Sequence, residues 1–235
     1  MNILALDTSG PVAGVAILKG GEAAYEAIAV NRFTHSVSLM PMVEEAFLHA
    51  GLTVSDIDLF AVTAGPGSFT GVRIGVSTVK GLAHGANKPC VAVNALKALA
   101  AGIPYFEGTI CPIQDARAGQ VYGAAFAAGL PPNRLMEDAA LKLNEYLQRL
   151  NEFPGPYLFV GDGVNVHQAI IEDCLKDQAR FAPAHCRFLR PLSVAVLAER
   201  YQDQAVDYLS LMPYYLRAPQ AERQRKMREE THGAQ

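Results

Sequence analysis

One glycine-rich run, at residues 65–75, constrains the fold of this chain more than any other stretch. It reads GPGSFTGVRIG and combines four glycines, one proline, two hydroxyl residues and one arginine. Glycine lets another backbone come close, and the hydroxyls of Ser68 and Thr70 are typical of helix N-termini. Val76, Val79 and Leu82 then recur at helical spacing. The run therefore predicts a tight turn that leads directly into a helix.

The run matches neither of two glycine-containing motifs with known chemistry. A nucleotide-binding P-loop needs a lysine after its last glycine, but Val72 follows Gly71 here. A nucleophile elbow needs glycines two residues before and after its serine, where Ser68 has Pro66 and Thr70. Two readings remain open, a plain turn that starts a helix and a loop built for close contact with a ligand or another chain.

Composition indicates a folded globular protein. Half of the 235 residues are apolar, and the formal net charge of −3 does not favour a chain that binds nucleic acid by itself. No apolar run approaches bilayer length and the start lacks a basic signal segment, so we expect a cytoplasmic protein without a membrane partner. The cysteines are far apart, which predicts buried thiols rather than a zinc site. They are Cys90, Cys111, Cys174 and Cys186.

Strand and helix patterns alternate along the chain. Apolar runs bounded by turn residues predict strands at 3–6, 12–18, 23–30, 59–63, 89–93, 109–114, 120–126 and 157–160, with an extended segment at 212–216. Helical periodicity predicts helices at 36–50, 70–85, 95–101, 141–150 and 193–201, and one through Ala169 and Leu175. Each half opens with a strand, a turn headed by aspartate and a returning strand. This pattern predicts an α/β fold with lobes at 1–104 and 105–217 and a charged, flexible tail at 218–235.

Three turns carry side chains suited to a nucleotide or a phosphate. They comprise Asp7, Thr8 and Ser9, then Asp115 and Arg117, then Gly161, Asp162 and Gly163. A carboxylate beside hydroxyls can hold a phosphate or a metal-bound water. Each turn can equally be closed by bonds from its aspartate to its own backbone, and Asp115 can simply pair with Arg117. Both interpretations stay open on the residues alone.

The histidines do not predict a metal site or a nucleophile with its base. None of the six forms a pair at metal-ligand spacing on one helix face. His35 is distinctive because it precedes the first helix beside Thr34 and Ser36.

The first two predicted helices carry more apolar surface than one buried stripe requires. In the first, Val37, Met40 and Leu48 extend the apolar surface past Glu44. In the second, small and β-branched residues recur at helical spacing and allow close helix contact. One explanation is burial beneath the second lobe, and the one we favour is a protein–protein interface. Its predicted residues are Val37, Met40, Glu44, Leu48, Gly71, Val72, Gly75, Val76 and Val79.

These motifs fall in the order found in bacterial TsaB proteins, also called YeaZ, and the chain resembles that family up to about Arg217. The matching segments are 3–9, His35, 65–75, 115–122, 161–163 and 213–217. Within the glycine run the family positions are Gly65, Pro66, Gly67, Ser68, Phe69, Thr70, Gly71 and Arg73. The resemblance implies the two-lobed ASKHA fold of actin, Hsp70 and sugar kinases. It also implies a role in making threonylcarbamoyladenosine (t6A) next to the anticodon of tRNA.

The resemblance further implies a subunit without catalytic residues. TsaB is similar to the transferase TsaD, in which an H-x-x-x-H motif soon after a Val-Asn pair binds a metal. Here Val93 and Asn94 are present, but Ala95 and Leu99 occupy the ligand positions and cannot coordinate a metal. We therefore expect a protein that binds and activates TsaD and helps recruit the ATPase TsaE. tRNA and the threonylcarbamoyl-adenylate synthase would be indirect partners.

Four further expectations concern ligands, self-association and rival functions. The family resemblance implies no tightly bound cofactor, although ATP or ADP could bind weakly or at an interface. It also implies a homodimer when the protein is alone, through the helices that would bind TsaD. The alternative is an active ASKHA-type ATPase or small-molecule kinase that uses Asp7, Asp115 and residues 161–163. A protease is disfavoured because zinc ligands and a nucleophile–base pair are missing from the sequence.

Overall fold

The computed structural model describes residues 1–30 and 34–217. The predicted tail at 218–235 lies outside the described residues. Seven α-helices lie within them: α1 His35–Ala50, α2 Phe69–Ala86, α3 Ala95–Ala101, α4 Leu143–Leu150, α5 Gly163–Leu175, α6 Ala184–Arg187 and α7 Pro191–Arg200. Short 3₁₀ turns occur at Val54–Asp56, Lys176–Gln178 and Gln202–Gln204.

Ten strands form two five-stranded sheets in the described part of the chain. The first sheet, in the order β3-β2-β1-β4-β5, contains β1 Asn2–Asp7, β2 Ala13–Lys19, β3 Glu22–Ala29, β4 Leu59–Gly65 and β5 Cys90–Asn94. The second, in the order β10-β9-β6-β7-β8, contains β6 Thr109–Asp115, β7 Gln120–Ala127, β8 Asn133–Lys142, β9 Tyr157–Val160 and β10 Ala179–Phe181.

The two sheets share one topology. In each, three consecutive strands pair antiparallel, and two later strands are added parallel to the first of the three. This repetition confirms the α/β fold class predicted from the sequence, with two lobes that each contain a mixed sheet flanked by helices. It also explains why the two halves of the sequence open alike.

Helices pack on the sheets and form three layers of hydrophobic core with them. On one side of the first sheet, α1 packs on β2 and β3 and α2 packs on β4 and β1, which buries residues such as Leu39 and Val76. Between the two sheets, α3 and α7 share one apolar cluster that includes Leu96 and Leu197. On the far side of the second sheet, α4 and α5 pack around Tyr146. The central layer joins the two lobes into one body.

The last part of the predicted second lobe, 105–217, packs against the first sheet. α7 packs against β1 and β2 of the first sheet, because its apolar residues complete the central core. Val206 then pairs with Cys90 of β5, and Leu211 is buried beside α2. The Tyr214 N–H donates to the Ala64 carbonyl oxygen at 2.7 Å, so the predicted extended segment at 212–216 runs beside the end of β4 without forming a named strand.

Two strands were missed by the sequence analysis. β8 occupies residues 133–140, to which we assigned no element, and the first two residues of the helix predicted from 141, which begins instead at Leu143. Residues 134–136 and 138–141 of β8 are all half-buried, so the strand lacks the alternation of buried and exposed positions that reveals strands in a sequence. β10 has three residues, too few for a recognisable pattern. Across the described residues, no helix combines the length and the apolar character that crossing a bilayer requires.

Candidate functional site

A cavity of about 660 Å³ opens between the two lobes, where β1, β4, β6 and β9 end. All three turns singled out in the sequence contribute to its wall, together with the glycine run, the start of α1 and residues 214–217. Of the predicted residues, its lining contains Ser9, Gly67, Ser68, Phe69, Thr70, Asp115, Arg117 and Asp162. His35 also lines it and donates from Nε2 to the Gly10 carbonyl oxygen at 3.0 Å.

Asp7 lies beneath the floor of this cavity and is fully buried. Its Oδ1 accepts hydrogen bonds from the Ser9 N–H at 3.0 Å, from the Ser9 hydroxyl at 2.7 Å and from the Thr63 hydroxyl. Burial raises the pKa of Asp7, whereas these hydrogen bonds act in the opposite direction. Oδ1 therefore closes the turn, while Oδ2 is buried and has no hydrogen-bond partner in the part of the chain that the structure describes.

Asp162 faces the first hairpin from the opposite lobe. Its Oδ2 accepts the Asp115 N–H at 3.4 Å, and its Oδ1 lies about 4 Å from where a β-carbon on Gly10 would be. Burial raises the pKa of Asp162 to about 6, and the nearby carboxylates of Asp115 and Asp7 act in the same direction. The floor of the cavity is therefore acidic.

The second turn is closed through the backbone. Asp115 Oδ1 accepts the Arg117 N–H at 2.9 Å, so the two residues do not form the ion pair that their sequence suggested. Arg117 instead has a positive φ of 66° and an exposed side chain. His167 of α5 is buried, and its Nε2 lies 4.0 Å from Asp115 Oδ1.

Three residues at this site were missed by sequence reasoning. Gln114 is buried at the cavity wall and donates from Nε2 to the Ser9 hydroxyl at 3.4 Å, which links the two lobes. Thr63 bonds Asp7, and His167 approaches Asp115. Each is a single polar residue inside a strand or a helix. The sequence carries no local signal for such a position except its proximity to a predicted turn.

The glycine run makes its close contacts within the chain. A β-carbon on Gly65 would overlap the Tyr214 carbonyl oxygen, and one on Gly67 would overlap that of Ser9. A β-carbon on Gly71 would overlap the Thr8 carbonyl oxygen, and one on Gly75 would meet the Thr8 hydroxyl at 2.5 Å. These glycines therefore allow α2 to lie against the first hairpin and the C-terminal segment. The contacts observed are with this chain's own backbone. Contact of the glycine run with a ligand or another chain stays a prediction.

Ser68 and Arg73 fix the two ends of this packing. Ser68 Oγ accepts the Gly71 N–H at 3.2 Å and caps α2, while the Ser68 N–H donates to the Ser9 carbonyl oxygen at 2.7 Å. The exposed Arg73 donates from Nε to the Tyr215 hydroxyl at 2.9 Å. Its guanidinium carbon lies 3.8 Å from the centre of the Phe69 ring.

The exposed side of α1 agrees with the sequence analysis. Val37, Met40 and Leu48 are 62%, 40% and 78% exposed, and Glu44 is exposed between them. Residues three or four apart share one helix side, so these four form a single row, which we call the α1 row. Whether this row contacts a partner stays a prediction.

The predicted partner contacts of α2 are corrected by the structure. Val72, Val76 and Val79 are at most 3% exposed and pack in the core between α2 and the first sheet, and Gly71 and Gly75 are buried as well. The apolar side of an amphipathic helix is normally buried, and here it is buried against β4 and β1 of the same chain. These five residues are therefore not available to a partner.

The two positions at which the resemblance to TsaD predicts metal ligands are part of the core. Ala95 and Leu99 are at most 3% exposed and lie in the central apolar cluster. Asn94 Oδ1 accepts the Lys97 N–H at 2.8 Å and caps α3, and its Nδ2 donates to Asp138. Within residues 1–30 and 34–217, no group of three His, Cys, Asp or Glu side chains could hold a metal ion.

Comparison with known proteins gives the same family from three directions. A family model described as "TsaD: tRNA N6-adenosine threonylcarbamoyltransferase" matches residues 30–225. The "tRNA threonylcarbamoyladenosine biosynthesis protein TsaB" of Bacillus subtilis is 37% identical over 226 residues, which are 94% of this chain and 96% of that one. The solved structure of "YeaZ from Pseudomonas aeruginosa" is 26% identical, with a TM-score of 0.71 over 92% of this chain and 99% of that one.

A more distant structure bears on the fold alone. Component A of (R)-2-hydroxyglutaryl-CoA dehydratase from Acidaminococcus fermentans has a TM-score of 0.51 and 11% identity over 86% of this chain and 99% of that one. With the two matching sheets, this likeness gives the fold as the two-lobed ASKHA class. The family model covers well over half of the chain, and the Bacillus subtilis relative aligns over nearly its full length. The chain therefore belongs to the TsaB/YeaZ family of tRNA threonylcarbamoyladenosine biosynthesis proteins.

Proposed function

We propose that this chain is a non-catalytic, cytoplasmic subunit of the complex that makes t6A in tRNA. It binds the transferase TsaD through the α1 row, activates it and helps recruit the ATPase TsaE. tRNA and the threonylcarbamoyl-adenylate synthase are reached through these partners. In the absence of TsaD, two copies of the chain pair through the same surface.

The observation that carries this proposal is the α1 row. Val37, Met40 and Leu48 expose large apolar side chains along one side of a helix whose opposite side is fully packed in the core. Contiguous apolar surface of this kind is unfavourable in water and marks contact sites on folded proteins. Apolar anchors at the centre of an interface typically contribute about 2 kcal/mol or more each when they are hot spots.

The chemistry of positions 95 and 99 supports a role without catalysis. Alanine and leucine side chains have no atom that binds a metal, and here both side chains fill the core instead of facing the cavity. Metal-assisted transfer of the kind expected for TsaD therefore has no ligand set at these positions.

The interlobe cavity presents groups of both charges to a nucleotide, since Arg117 and Arg217 line it as well as two carboxylates. Asp115 and Asp162 present carboxylates to it, and the glycine run contributes no lysine. The Ser68 and Gly71 N–H groups at the start of α2 are already bonded within the chain. Polyphosphates need free N–H donors or cations, and here the cations lie beside carboxylates that repel phosphate, so we propose that ATP or ADP binds weakly or at an interface.

Reconstitution tests the proposal. Purified TsaD, TsaE and the adenylate synthase are assayed for t6A formation with this chain, without it, and with Leu48→Asp. We expect t6A to require the wild-type chain, and Leu48→Asp to lose at least tenfold in both TsaD capture and product. Val166→Asp is the matched control, because Val166 is also an exposed apolar residue on a helix, at 59% exposure, but lies on α5. Equal capture of TsaD by wild type and Leu48→Asp, with both folded by circular dichroism, would refute the interface.

A second candidate function, an active ATPase or small-molecule kinase, is favoured by one observation. Three aspartate- or glycine-containing turns meet at one cavity, and Asp7 Oδ2 is buried beneath it without a described partner. Calorimetric titration of the isolated chain with ATP and Mg²⁺ separates the two. Micromolar affinity together with turnover would replace the subunit proposal, whereas weak binding without turnover would support it.

A further inference from the structure

The wall of the interlobe cavity contains a buried hydrogen-bond acceptor, the side-chain oxygen of Gln114. The Ser9 hydroxyl donates its hydrogen to Asp7 Oδ1, so it can only accept from the Gln114 amide, and this fixes the amide nitrogen beside it. The remaining atom, Gln114 Oε1, is buried and has no hydrogen-bond partner within residues 1–30 and 34–217. Gln114 is 4% exposed and lines the cavity. A buried acceptor without a partner costs free energy, so this position favours a ligand that donates a hydrogen bond.

Two carboxylates line the cavity near this acceptor. Asp115 follows Gln114 in β6, and Asp162 of the next strand's turn accepts the Asp115 N–H at 3.4 Å. No lysine or arginine side chain of the described chain pairs with either carboxylate. The floor therefore presents one amide oxygen and two carboxylates, and it calls for a cationic donor.

A primary ammonium fits this set of acceptors better than a metal ion does. Among the described residues, no three His, Cys, Asp or Glu side chains are arranged to hold a metal ion. An ammonium has three N–H donors and can bond one amide oxygen and two carboxylates at once. It would also offset the burial that raises the pKa of Asp162 to about 6.

Two arginines line the same cavity beside this floor. Arg117 is two residues after Asp115, and its side chain is exposed. Arg217 donates from Nη1 to the carbonyl oxygen of Ala116, the residue between them, at 3.3 Å. In the described ranges neither guanidinium has a carboxylate partner. A guanidinium binds a carboxylate in two parallel hydrogen bonds, so this part of the cavity suits an anionic group.

The neighbouring charges of opposite sign select against ligands of one sign. A polyphosphate is repelled by the two carboxylates, and a polyamine is repelled by the two arginines. A molecule with one ammonium and one carboxylate matches both parts. The cavity volume of about 660 Å³ leaves ample room for such a small ligand.

We propose that the interlobe cavity binds a small free amino acid. Its ammonium group is held by Gln114 Oε1 and the carboxylates of Asp115 and Asp162, and its carboxylate is held by Arg117 and Arg217. The inference goes beyond the proposed function and does not use the α1 row. It gives the cavity a ligand of its own, separate from weak nucleotide binding.

Three matched probes test the requirement for both charges. L-Alanine carries the two groups common to α-amino acids, ethylamine lacks its carboxylate and propionate lacks its ammonium. Each is titrated into the full ¹⁵N-labelled chain and followed by amide chemical shifts. We expect L-alanine to saturate with a dissociation constant of about 1 mM or below, with shifts at Ser9, Gly10 and residues 161–163. Ethylamine and propionate should each bind at least tenfold more weakly.

Two charge-removing variants assign the two ends of the ligand. Asp162→Asn should weaken L-alanine at least tenfold, and Arg217→Gln at least fivefold. Arg217→Gln should leave the weaker binding of ethylamine within twofold of wild type, because ethylamine has no group for the arginine. Asp173→Asn on α5 and Arg149→Gln on α4 are the matched controls, since both residues are exposed and lie outside the cavity lining. Both should stay within twofold of wild type.

The outcomes that would overturn the inference are distinct from those that test TsaD binding. Absence of a saturable shift at the cavity amides in about 10 mM L-alanine would overturn it. So would binding of ethylamine or propionate as tight as that of L-alanine, or equal weakening by the control variants. Thermal unfolding by circular dichroism checks that each variant is folded, and Arg117→Gln replaces Arg217→Gln if the latter is not. Capture of TsaD is measured separately with Leu48→Asp, so either proposal can fail alone.

Discussion

Gly71 of α2 packs so closely against Thr8 that a β-carbon at position 71 would overlap the Thr8 carbonyl oxygen. The Thr8 hydroxyl in turn donates to the Gly71 carbonyl oxygen at 2.7 Å. Contact and hydrogen bond together hold the helix against the β1–β2 turn. Ser9, the residue after Thr8, lines the cavity. The packing of Gly71 on Thr8 therefore fixes the position of this part of the cavity wall.

Gly71→Ala should therefore destabilise the protein. The added methyl group has to displace backbone and not a flexible side chain, and overpacking of this kind costs about 1–3 kcal/mol or more. Gly81→Ala is the matched control, since Gly81 lies on the same helix with nothing near its β-carbon position and is exposed. Alanine there should raise the free energy of unfolding by about 0.5–1 kcal/mol. Urea unfolding followed at 222 nm measures both, and equal effects would contradict the packing role.

The same helix shows where sequence reasoning succeeds and where it stops. The spacing of Val72, Val76 and Val79 located α2 correctly, because a buried stripe repeats with the helical period. Periodicity does not reveal what covers the stripe, and the sheet of this chain covers it rather than a partner. On α1 the excess apolar residues extend around the helix beyond the width that the sheet covers. That excess made Leu48 predictable as a surface residue.

Turns were predicted better than the interior of the site. Asp115 and Asp162 stand at the ends of strands in turns that contain glycine, and such positions are visible in one sequence. Gln114 and His167 act through contacts between elements far apart in the chain. No local pattern encodes these contacts, since they exist only once the two lobes have packed around the central core.

The raised pKa of Asp162 predicts that the free energy of unfolding depends on pH. Its pKa is about 6 in the folded chain against 3.8 for an ordinary aspartate, because burial disfavours the carboxylate. The folded state therefore holds the proton more tightly than the unfolded state does. The stability that this proton contributes is complete below about pH 4 and is lost as the pH rises through 6. The loss is on the order of 3 kcal/mol, at about 1.4 kcal/mol per pH unit.

Asp162→Asn isolates this contribution, because asparagine can still accept the Asp115 N–H but carries no charge. The variant should match wild type near pH 4 and become more stable than wild type above pH 6. Urea unfolding between pH 4 and pH 8 measures the difference at each pH. Asp173→Asn, at an exposed position on the same helix, should stay within about 0.5 kcal/mol of wild type throughout. A constant offset between Asp162→Asn and wild type over this range would show that the carboxyl does not titrate as stated.

Replacing Leu99 by histidine tests how the core tolerates a side chain that can bind a metal. Its side chain is 3% exposed, and its Cδ1 would lie 3.3 Å from a β-carbon on Gly161. Leu99→His places a polar ring among apolar side chains, with both a cavity and an unsatisfied nitrogen, and should lower the free energy of unfolding by about 3 kcal/mol. Ala92→His, at an exposed position of β5, is the control and should be nearly neutral.

The double variant Ala95→His with Leu99→His extends this test to the metal itself. Both positions lie in the central apolar cluster. Added Zn²⁺ should therefore not recover the lost stability, as measured by urea unfolding with and without the metal. A metal-dependent gain in the free energy of unfolding would mean that α3 still presents these positions to a metal, as in a transferase. Positions 95 and 99 would then be open to a metal despite their burial.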